Sequence, residues 1–444
     1  MRWQDESAPD GWTVCALGEL TTVVGGGTPK TSVPGNFSED GGHPWITPAD
    51  LTGYTDRYIA RGRRALTDQG LDSSSAKYLP AGAVLFSSRA PIGYRAIAAN
   101  PLTTNQGFRS FVPGPRLDGN YLYHALKFLQ PVAEQAASGT TFPELSGRNA
   151  AKIRIAFPSL PEQKALALVL DRASDLGDRA TSALEGALSS VARLRSAVLV
   201  AGCAGQLTAD WRPRQVMPSD QQQTETEKAH QPDGRGSLPP GWSWAAIGDV
   251  ADVEVGGTPS RKNSAYWGGG IPWTSSGEVA NCRISETRET ISDEGLANSN
   301  AKRYPVGTVL IAMIGEGKTR GQSAILDITA TTNQNVAGII PKPSVLMSEY
   351  VWRWALGQYE ITRAVGRGGN QAALNRKKVK ELLIPVPPLA EQQEIVDRVD
   401  RLFAIANTLE KRIDAAARRA DDVFDAVLAK AFKGELDVGL DEAD

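Results

Sequence analysis

The residues of this chain best suited to chemistry are arginines, lysines and amides that lie near glycines and turns. Arginine can bind guanine through two hydrogen bonds, lysine and arginine neutralise phosphate, and asparagine or glutamine can pair with adenine. These residue types indicate nucleic-acid binding, and an ordinary solvated surface or turn remains the alternative for each. The candidate contacts are Arg57, Arg61, Arg63, Arg64, Arg89, Arg95, Lys318, Arg320, Arg367, Asn370, Gln371, Arg376, Lys377 and Lys378.

Catalytic chemistry has much weaker support. The three cysteines and three histidines are far apart in the sequence, so neither a disulfide framework nor a metal centre is predicted. Residues 312–319 end in Gly-Lys-Thr like a phosphate-binding loop, but Ala312 stands where that motif requires its first glycine. The sequence around Asn100 does not complete the Asn-Pro-Pro-aromatic motif of amino-methyltransferases. We therefore predict no catalytic residue, no metal ligand and no cofactor in this chain.

Nearly the whole chain is an internal repeat with an offset of about 229 residues. The motif Gly-Gly-Thr-Pro, the pair Pro-Trp and the triplet Thr-Asn-Gln each occur twice in the same order, at 26–29 and 256–259, 44–45 and 272–273, and 104–106 and 332–334. Because the two copies have diverged elsewhere, residues that they share are predicted to be structural. This applies to the Asn-Gln pairs and to Trp45 and Trp273.

The end of each copy has apolar or small residues at alternating spacings of four and three. This average spacing of 3.5 is typical of a left-handed coiled coil, and the same register occurs in both copies. About 40 residues at 1.5 Å each would give a helix about 60 Å long. A helix lying on a globular core is the alternative for either one alone. The predicted seam comprises Leu166, Leu170, Leu184, Val191, Leu194, Val198, Ile395, Val399, Leu402, Leu409, Ile413, Val423 and Val427.

The sequence therefore predicts an α+β chain with an internal pseudo-twofold repeat. Each copy is a mixed α/β domain followed by a long helix, and the two helices pair as an antiparallel coiled coil. The predicted ranges are 1–158 and 241–387 for the domains, 159–206 and 388–436 for the helices, 207–240 for an exposed linker and 437–444 for a tail.

Composition restricts the setting in which this chain functions. The 48 lysines and arginines nearly balance the 50 aspartates and glutamates, so any nucleic-acid site must concentrate its positive charge locally. No apolar stretch approaches the roughly 20 residues that span a bilayer, so no membrane association is expected. Cysteine usage favours a reducing compartment, and a cytoplasmic protein is predicted.

This order of domains and helices resembles the DNA specificity subunits of type I restriction-modification enzymes. The motifs that carry the resemblance are residues 238–242 (Leu-Pro-Pro-Gly-Trp), the repeated Gly-Gly-Thr-Pro, Pro-Trp followed five residues later by Asp50 or Glu278, the Asn-Gln pairs, and the strand-to-helix junctions at 155–163 and 384–392. The copies differ at 139–143 and 368–372, so base contacts cannot be transferred between them.

The resemblance implies two target recognition domains, each binding one half of an asymmetric bipartite site in double-stranded DNA. It also implies a non-catalytic chain that docks two methyltransferase subunits and a restriction (translocase) subunit. S-adenosylmethionine, ATP and Mg²⁺ would then be bound by those partners. A coiled-coil scaffold whose globular ends bind protein or glycan is the alternative, and a self-contained DNA-modifying enzyme lacks motif support.

Overall fold

The computed structural model describes residues 8–89, 91–139, 143–214, 237–315, 317–365 and 373–438. The chain forms two compact units, Met1–Glu185 with Asp414–Asp444 (unit 1) and Gly186–Ile413 (unit 2). Unit 1 contains domain 1, up to residue 158, and unit 2 contains domain 2, residues 241–387. Each long helix is divided between the units, so a compact unit is not simply one domain plus the helix that follows it.

Domain 1 is built from eleven described strands and five short helices, followed by the first long helix. The strands are β1 Thr13–Ala16, β2 Thr21–Gly25, β3 Phe37–Ser38, β4 His43–Ile46, β5 Tyr58–Ile59, β6 Arg64–Leu66, β7 Val84–Ser88, β8 Ile92–Ala98, β9 Thr103–Thr104, β10 Arg109–Pro113 and β11 Arg154–Phe157. The helices are α1 Leu17–Leu20, α2 Asp68–Asp72, α3 Gly119–Phe128, α4 Gln130–Gln135, α5 Gly147–Lys152 and the long helix α6 Leu160–Cys203.

The central layer of domain 1 is a five-stranded sheet in the order β2-β10-β7-β8-β5. Its side chains alternate between two cores, as the twofold period of a strand requires. On one face Val84 and Phe86 pack with α3, the start of α6 and the end of the second long helix. On the other face Leu85 and Ala96 pack against Ile46 of a small four-stranded sheet, β3-β6-β4-β9. The domain thus has helices on one side and the small sheet on the other.

Domain 2 repeats this plan with ten described strands and five short helices before the second long helix. The strands are β12 Ser243–Ala246, β13 Ala251–Val255, β14 Trp267–Thr274, β15 Cys282–Ile284, β16 Glu289–Ile291, β17 Val309–Ala312, β18 Ser323–Leu326, β19 Thr331–Thr332, β20 Val336–Pro341 and β21 Leu383–Val386. The helices are α7 Ile247–Val250, α8 Asp293–Ala297, α9 Ser348–Gly357, α10 Tyr359–Val365, α11 Arg376–Lys380 and the long helix α12 Leu389–Phe432.

Its five-stranded sheet has the equivalent order, β13-β20-β17-β18-β15, and its small sheet is β16-β14-β19. Strand β14 covers the positions of both β3 and β4, because Trp267 and Ile271 both lie opposite Ile291 across a bulge. Val309 and Ile311 face α9 and the long helices, whereas Leu310 and Ala312 face the opposite side. The predicted tandem of mixed α/β domains is therefore confirmed, and the structure supplies the sheet order that the sequence left open.

The predicted pairing of the two long helices is also confirmed. Each helix has 44 residues. In unit 2 a Cβ atom on Gly202 would lie 3.2 Å from Ile395, whereas Arg195, further from the end of α6, binds Glu410 at 2.9 Å. The segments therefore run antiparallel. In unit 1 Leu166 and Leu170 share a core with the last turns of α12. None of the described helices is long and apolar enough to cross a membrane.

Burial along the helices agrees with most of the predicted seam and contradicts part of it. Six seam residues are buried and four are half-buried: Leu166, Leu170, Val191, Val198, Ile395 and Val399, and then Leu184, Leu402, Ile413 and Val427. Placing Leu194, Leu409 and Val423 in the seam is wrong, because these side chains are 41%, 38% and 62% exposed. An α-helix drifts against a strict heptad, so Arg195 rather than Leu194 contacts α12 and Phe424 rather than Val423 joins the core of unit 1.

The prediction of an exposed linker from residue 207 is wrong for its first part. Thr208 is fully buried, and a short 3-10 turn spans Arg212–Arg214. Arg398 of α12 donates hydrogen bonds to the backbone oxygen of Leu207 and to Asp210. Residues 207–214 therefore pack against α12 through buried Thr208 and the contacts of Arg398, although residues 209, 210, 213 and 214 are exposed. Residues 215–236 lie outside the described residues.

Candidate nucleic-acid interface

The Gly-Gly-Thr-Pro turn of domain 1 is fixed by the other repeated motifs. The indole N–H of Trp45 donates a 3.0 Å hydrogen bond to the backbone oxygen of Gly27, and the Thr28 hydroxyl pairs with the Gln106 side chain. A Cβ atom on Gly27 would lie 2.2 Å from the backbone nitrogen of Ala76, so this position requires glycine.

Domain 2 reproduces these contacts. Trp273 donates to the backbone oxygen of Gly257 at 3.0 Å, and the Thr258 hydroxyl pairs with Gln334. The side-chain oxygens of Asn105 and Asn333 each accept the N–H of the residue two positions later. The structural roles predicted for the Asn-Gln pairs and the tryptophans are confirmed.

The acidic residue five positions after each tryptophan holds a loop next to this turn. The Asp50 carboxylate accepts the N–H groups of Thr47 at 2.8 Å and Arg63 at 3.0 Å. Burial by itself would raise the pKa of the Asp50 carboxyl, but hydrogen bonds from Thr47 and Arg63 outweigh burial and the pKa lies below its usual value. In domain 2 Glu278 accepts the N–H of Arg288 at 3.0 Å. Asp50 and Glu278 are thus equivalent loop anchors.

Three predicted contacts of domain 1 lie together at the small sheet. Arg61 and Arg63 precede β6 and Arg64 begins it, and all three are exposed. Arg63 also contacts Asp50 through its side chain, at 3.3 Å. This cationic group belongs to the face of the domain opposite the helices. It is the arrangement expected of a surface that meets a polyanion.

The structure places the other predicted arginines of domain 1 in internal contacts. Arg57 binds Asp171 of α6 at 2.6 Å. Arg95 lies opposite Phe86, on the helix side of the sheet, with its guanidinium 4.7 Å from the ring of Tyr123. Burial lowers the pKa of Arg95 below its ordinary value. Arg89 is half-buried, 3.9 Å from Glu144. Arg57 and Arg95 hold the domain together rather than present a cation to a ligand.

In domain 2 the glycine-rich segment after β17 carries two predicted contacts, Lys318 and Arg320, which differ in exposure. Lys318 is exposed, and its backbone oxygen accepts a 2.7 Å hydrogen bond from the hydroxyl of Tyr359. Arg320 is only 5% exposed. The prediction that Arg320 lies on a DNA-binding surface is therefore wrong, because a side chain this buried is not presented to a ligand. The Lys318 side chain is thus presented at the surface.

The cations of α11 are partly committed to neighbours. Arg376 donates to the backbone oxygen of Val253 at 2.7 Å and binds Glu254 at 2.9 Å. Lys377 is exposed with Glu381 3.9 Å away, and Lys378 donates to a backbone oxygen at 3.2 Å. Arg367, Asn370 and Gln371 lie outside the described residues. These candidates are therefore not gathered into one described patch.

Sequence reasoning missed residues at the equivalent face of domain 2. Arg261 lies 3.6 Å from the ring centre of Trp267 and pairs with Glu289 through its two terminal nitrogens, Nη1 and Nη2. Arg288 occupies the position of Arg63. The charged residues of the two copies align here at an offset of 225 (63 to 288) rather than 229. A comparison at that offset would have shown which charges differ between the two domains.

Metal binding has no support in the part of the chain that the structure describes, which contains no group of three or more histidine, cysteine or acidic side chains able to hold an ion. The sites that remain are loops and cations on a rigid scaffold. Such a surface can bind and discriminate a ligand by charge and hydrogen bonding.

Comparisons with known proteins agree with this picture. The family described as "Type I restriction modification DNA specificity domain" matches residues 9–184 and 239–419. The MjaIX specificity subunit of Methanocaldococcus jannaschii is 28% identical over 456 residues, covering 98% of each chain. The EcoDI specificity subunit of Escherichia coli is 27% identical over 333 residues, covering 74% of this chain and 72% of that protein.

Two solved structures have the same fold. The HsdS subunit of Thermoanaerobacter tengcongensis superposes with a TM-score of 0.58 at 19% identity, covering 98% of this chain and 100% of that one. A chain from a study of complex assembly and conformational transition in the type I R-M system superposes with a TM-score of 0.67 at 19% identity, covering 97% and 100%. With two family matches that together cover most of its length, this chain belongs to the type I restriction-modification DNA specificity family.

Proposed function

We propose that this chain selects the DNA target of a type I restriction-modification complex in the cytoplasm. Domain 1 binds one half of an asymmetric bipartite sequence in double-stranded DNA, and domain 2 binds the other half. The observation that carries this proposal is the repeated domain itself: one scaffold of turns occurs twice, whereas the charged residues displayed on it differ. Equal scaffolds with different surfaces are suited to different half-sites.

The proposal assigns chemistry to partner subunits. Two methyltransferase subunits bring S-adenosylmethionine, and a restriction subunit brings ATP hydrolysis with Mg²⁺. This chain positions them on the target and is non-catalytic. Its contribution is binding energy and sequence discrimination, which arise from hydrogen bonds to base edges together with phosphate contacts.

Exposed apolar residues on the long helices support docking of two similar partners. Leu176 and Ile405 are equivalent positions (405 − 176 = 229) and are 66% and 55% exposed. Leu194 and Val423 are likewise equivalent (423 − 194 = 229) and are 41% and 62% exposed. Unit 1 therefore displays Leu176 and Val423, and unit 2 displays the equivalent residues Ile405 and Leu194. Apolar side chains repeated on a surface favour two equivalent interfaces.

Methylome mapping tests the proposed function directly. Genomic DNA from cells with and without this gene is sequenced for modified bases. We expect a bipartite adenine-methylation motif that disappears when the gene is deleted. An unchanged methylome, together with a purified complex that shows no salt-dependent binding to duplex DNA, would contradict the proposal and favour a scaffold that binds protein or glycan.

Exchange of one domain tests the assignment of half-sites. Replacing residues 1–158 with the corresponding domain of another specificity subunit should change one half of the methylated motif and leave the other half intact. A change in both halves would show that the domains do not act independently.

A further inference from the structure

The two domains carry opposite charges at equivalent positions of the small sheet. Arg64 lies directly opposite Trp45 in the pairing of β6 with β4. Glu289 lies directly opposite Trp273 in the pairing of β16 with β14. Both tryptophans are 2% exposed and make the same hydrogen bond to the Gly-Gly-Thr-Pro turn. The equivalence of Arg64 and Glu289 therefore follows from strand register and not from sequence offset alone.

A second reversal of charge between the domains lies three residues before Arg64 and Glu289. Arg61 precedes Arg64 by three positions, and Glu286 precedes Glu289 by three. The loop anchors Asp50 and Glu278 fix this alignment, because each accepts a backbone N–H from the residue just before the reversed strand position. Arg61 and Glu286 are both exposed. Domain 1 thus has two cations where domain 2 has two carboxylates.

The stacking partners show that a guanidinium is retained at this place in both domains. In domain 1 the Arg64 guanidinium lies 4.5 Å from the ring centre of Phe37. In domain 2 the stacked guanidinium belongs to Arg261, from the loop after Gly-Gly-Thr-Pro, and it is 3.6 Å from the ring centre of Trp267. Glu289 binds Arg261 through both carboxylate oxygens. The cation of domain 2 is therefore neutralised.

The cations of domain 1 are not neutralised in this way. Within residues 8–89, 91–139 and 143–185 of unit 1, neither Arg61 nor Arg64 forms an ion pair with a carboxylate. Stacking on an aromatic ring fixes the guanidinium and leaves its N–H groups directed outward in the guanidinium plane, which is the geometry that binds phosphate. Arg61, Arg64, Gly41 and Gly42 also line one concavity. A Cβ atom on Gly41 would meet nothing within 4 Å, so this turn is open to an approaching backbone.

We infer that Arg61 and Arg64 bind a backbone phosphate of the DNA beside the half-site of domain 1, and that domain 2 makes no equivalent contact. This inference rests on the proposed function and adds an asymmetry to it. The contact contributes to affinity and its dependence on salt, without reading a base. At the corresponding position of domain 2, Glu289 is paired with Arg261 and exposed Glu286 repels phosphate.

The salt dependence of DNA binding tests this inference. The full-length chain is assembled with its methyltransferase partners, and the dissociation constant for a duplex bearing the mapped target is measured over a range of salt concentrations. The double variant Arg61→Ala with Arg64→Ala should reduce the magnitude of the log–log slope by about 0.9 for each phosphate that the variant no longer neutralises. The loss of affinity should be similar for the cognate duplex and for one with a scrambled first half-site.

Two control variants separate a local contact from other effects. Lys411→Ala with Arg412→Ala removes the same charge from exposed positions of α12 and should leave the slope unchanged. Arg61→Lys with Arg64→Lys keeps both charges and should retain the slope. Replacing single phosphates near the first half-site with uncharged methylphosphonates should weaken binding of the wild-type complex at one position and have no such effect on the alanine variant.

The outcomes are distinguishable. An alanine variant with the wild-type slope would overturn the inference while leaving the proposed function intact. Weakened binding confined to the cognate duplex would also overturn it, by assigning a base contact instead. An equal loss of slope in the α12 control or in the lysine variant would reject a local phosphate site. A wild-type complex that does not distinguish the bipartite duplex from scrambled DNA would reject the proposed function itself.

Discussion

The carboxylate of Glu391 accepts a 2.8 Å hydrogen bond from the indole N–H of Trp242, joining the first turn of α12 to the chain just before β12. The same carboxylate accepts hydrogen bonds from the Thr208 hydroxyl at 2.6 Å and from Arg212 at 2.7 Å. Glu391 is 2% exposed, whereas its repeat equivalent Glu162 is half-buried. One carboxylate thus connects three separate segments of unit 2.

Replacement of Glu391 by glutamine should destabilise unit 2 by about 2–4 kcal/mol, because Arg212 loses its charged partner in a buried network. Glu162→Gln is the matched control in unit 1 and should change stability by less than about 0.5 kcal/mol. Chemical denaturation followed by tryptophan fluorescence measures both. Equal effects of the two substitutions would show that the network around Glu391 contributes nothing specific.

The glutamines at the helix starts should be important for stability in both units. The Gln163 amide accepts the N–H of Asp118 at 2.8 Å and donates to the backbone oxygens of Arg116 and Pro158. Gln392 makes the same three bonds in unit 2, to the N–H of Met347 and to two backbone oxygens. Alanine at either position should cost about 2–4 kcal/mol, since buried backbone groups lose their partners.

Gln393→Ala provides the control for this pair of variants, because Gln393 is exposed and bonds only to Asp397 in the described structure. Its effect should stay within about 0.5 kcal/mol. Denaturation midpoints of the three variants give the comparison. A loss at Gln392 without one at Gln163 would contradict equivalent roles in the two copies.

Stability should depend on pH through His124, whose imidazole lies 2.7 Å from Asp171. Burial lowers the pKa of His124 below its usual value of about 6.5, although the hydrogen bond to Asp171 opposes this shift. The unfolded chain then binds a proton more readily than the folded chain. The stabilisation is present above about pH 6.5 and is lost as pH falls from there toward the folded pKa.

His124→Gln should remove this pH dependence, because glutamine can keep a hydrogen bond to Asp171 without titrating. Melting temperatures from pH 8 down to about pH 5 give the test. The pKa of Asp171 lies below its usual value, because hydrogen bonds from His124 and Arg57 outweigh the effect of its own burial, so its loss of charge falls at lower pH. If the melting temperatures of wild type and variant change with pH in parallel, His124 is not the source of the pH dependence.

Partner docking should be sensitive to charge at the repeated apolar positions. Leu176→Glu should weaken binding of one methyltransferase subunit at least about tenfold and leave the other bound. Ile405→Glu should weaken binding of the other methyltransferase subunit to the same extent, and the double variant should bind neither subunit. Native mass spectrometry counts the bound subunits. Ser189→Glu, at an exposed polar position of α6, is the control, and two retained subunits in the Leu176 variant would contradict this docking surface.

The repeat and the two long helices could be predicted from the sequence, because each is a pattern of residue types along the chain. The roles of Trp45 and the Asn-Gln pairs also followed, since a shared residue in two copies with different surfaces favours a structural role. Heptad spacing predicted that the two helices pair but not which residues lie on their outer faces. Leu194 and Val423 have the right spacing for the seam and are exposed, because each helix must also pack against a domain core.

Tertiary structure decided which cations are available to a ligand. Arg320 and Arg95 look like surface arginines beside glycine turns, yet both are largely withdrawn from solvent: Arg95 lies opposite Phe86 in the sheet, and Arg320 is only 5% exposed in the turn before β18. Burial of Thr208 depends on Glu391, which lies 183 residues away in the sequence. The charge reversal between Arg64 and Glu289 became visible only through strand register, because insertions shift the offset between the copies. Side-chain exposure depends on long-range partners, and a linear pattern does not contain them.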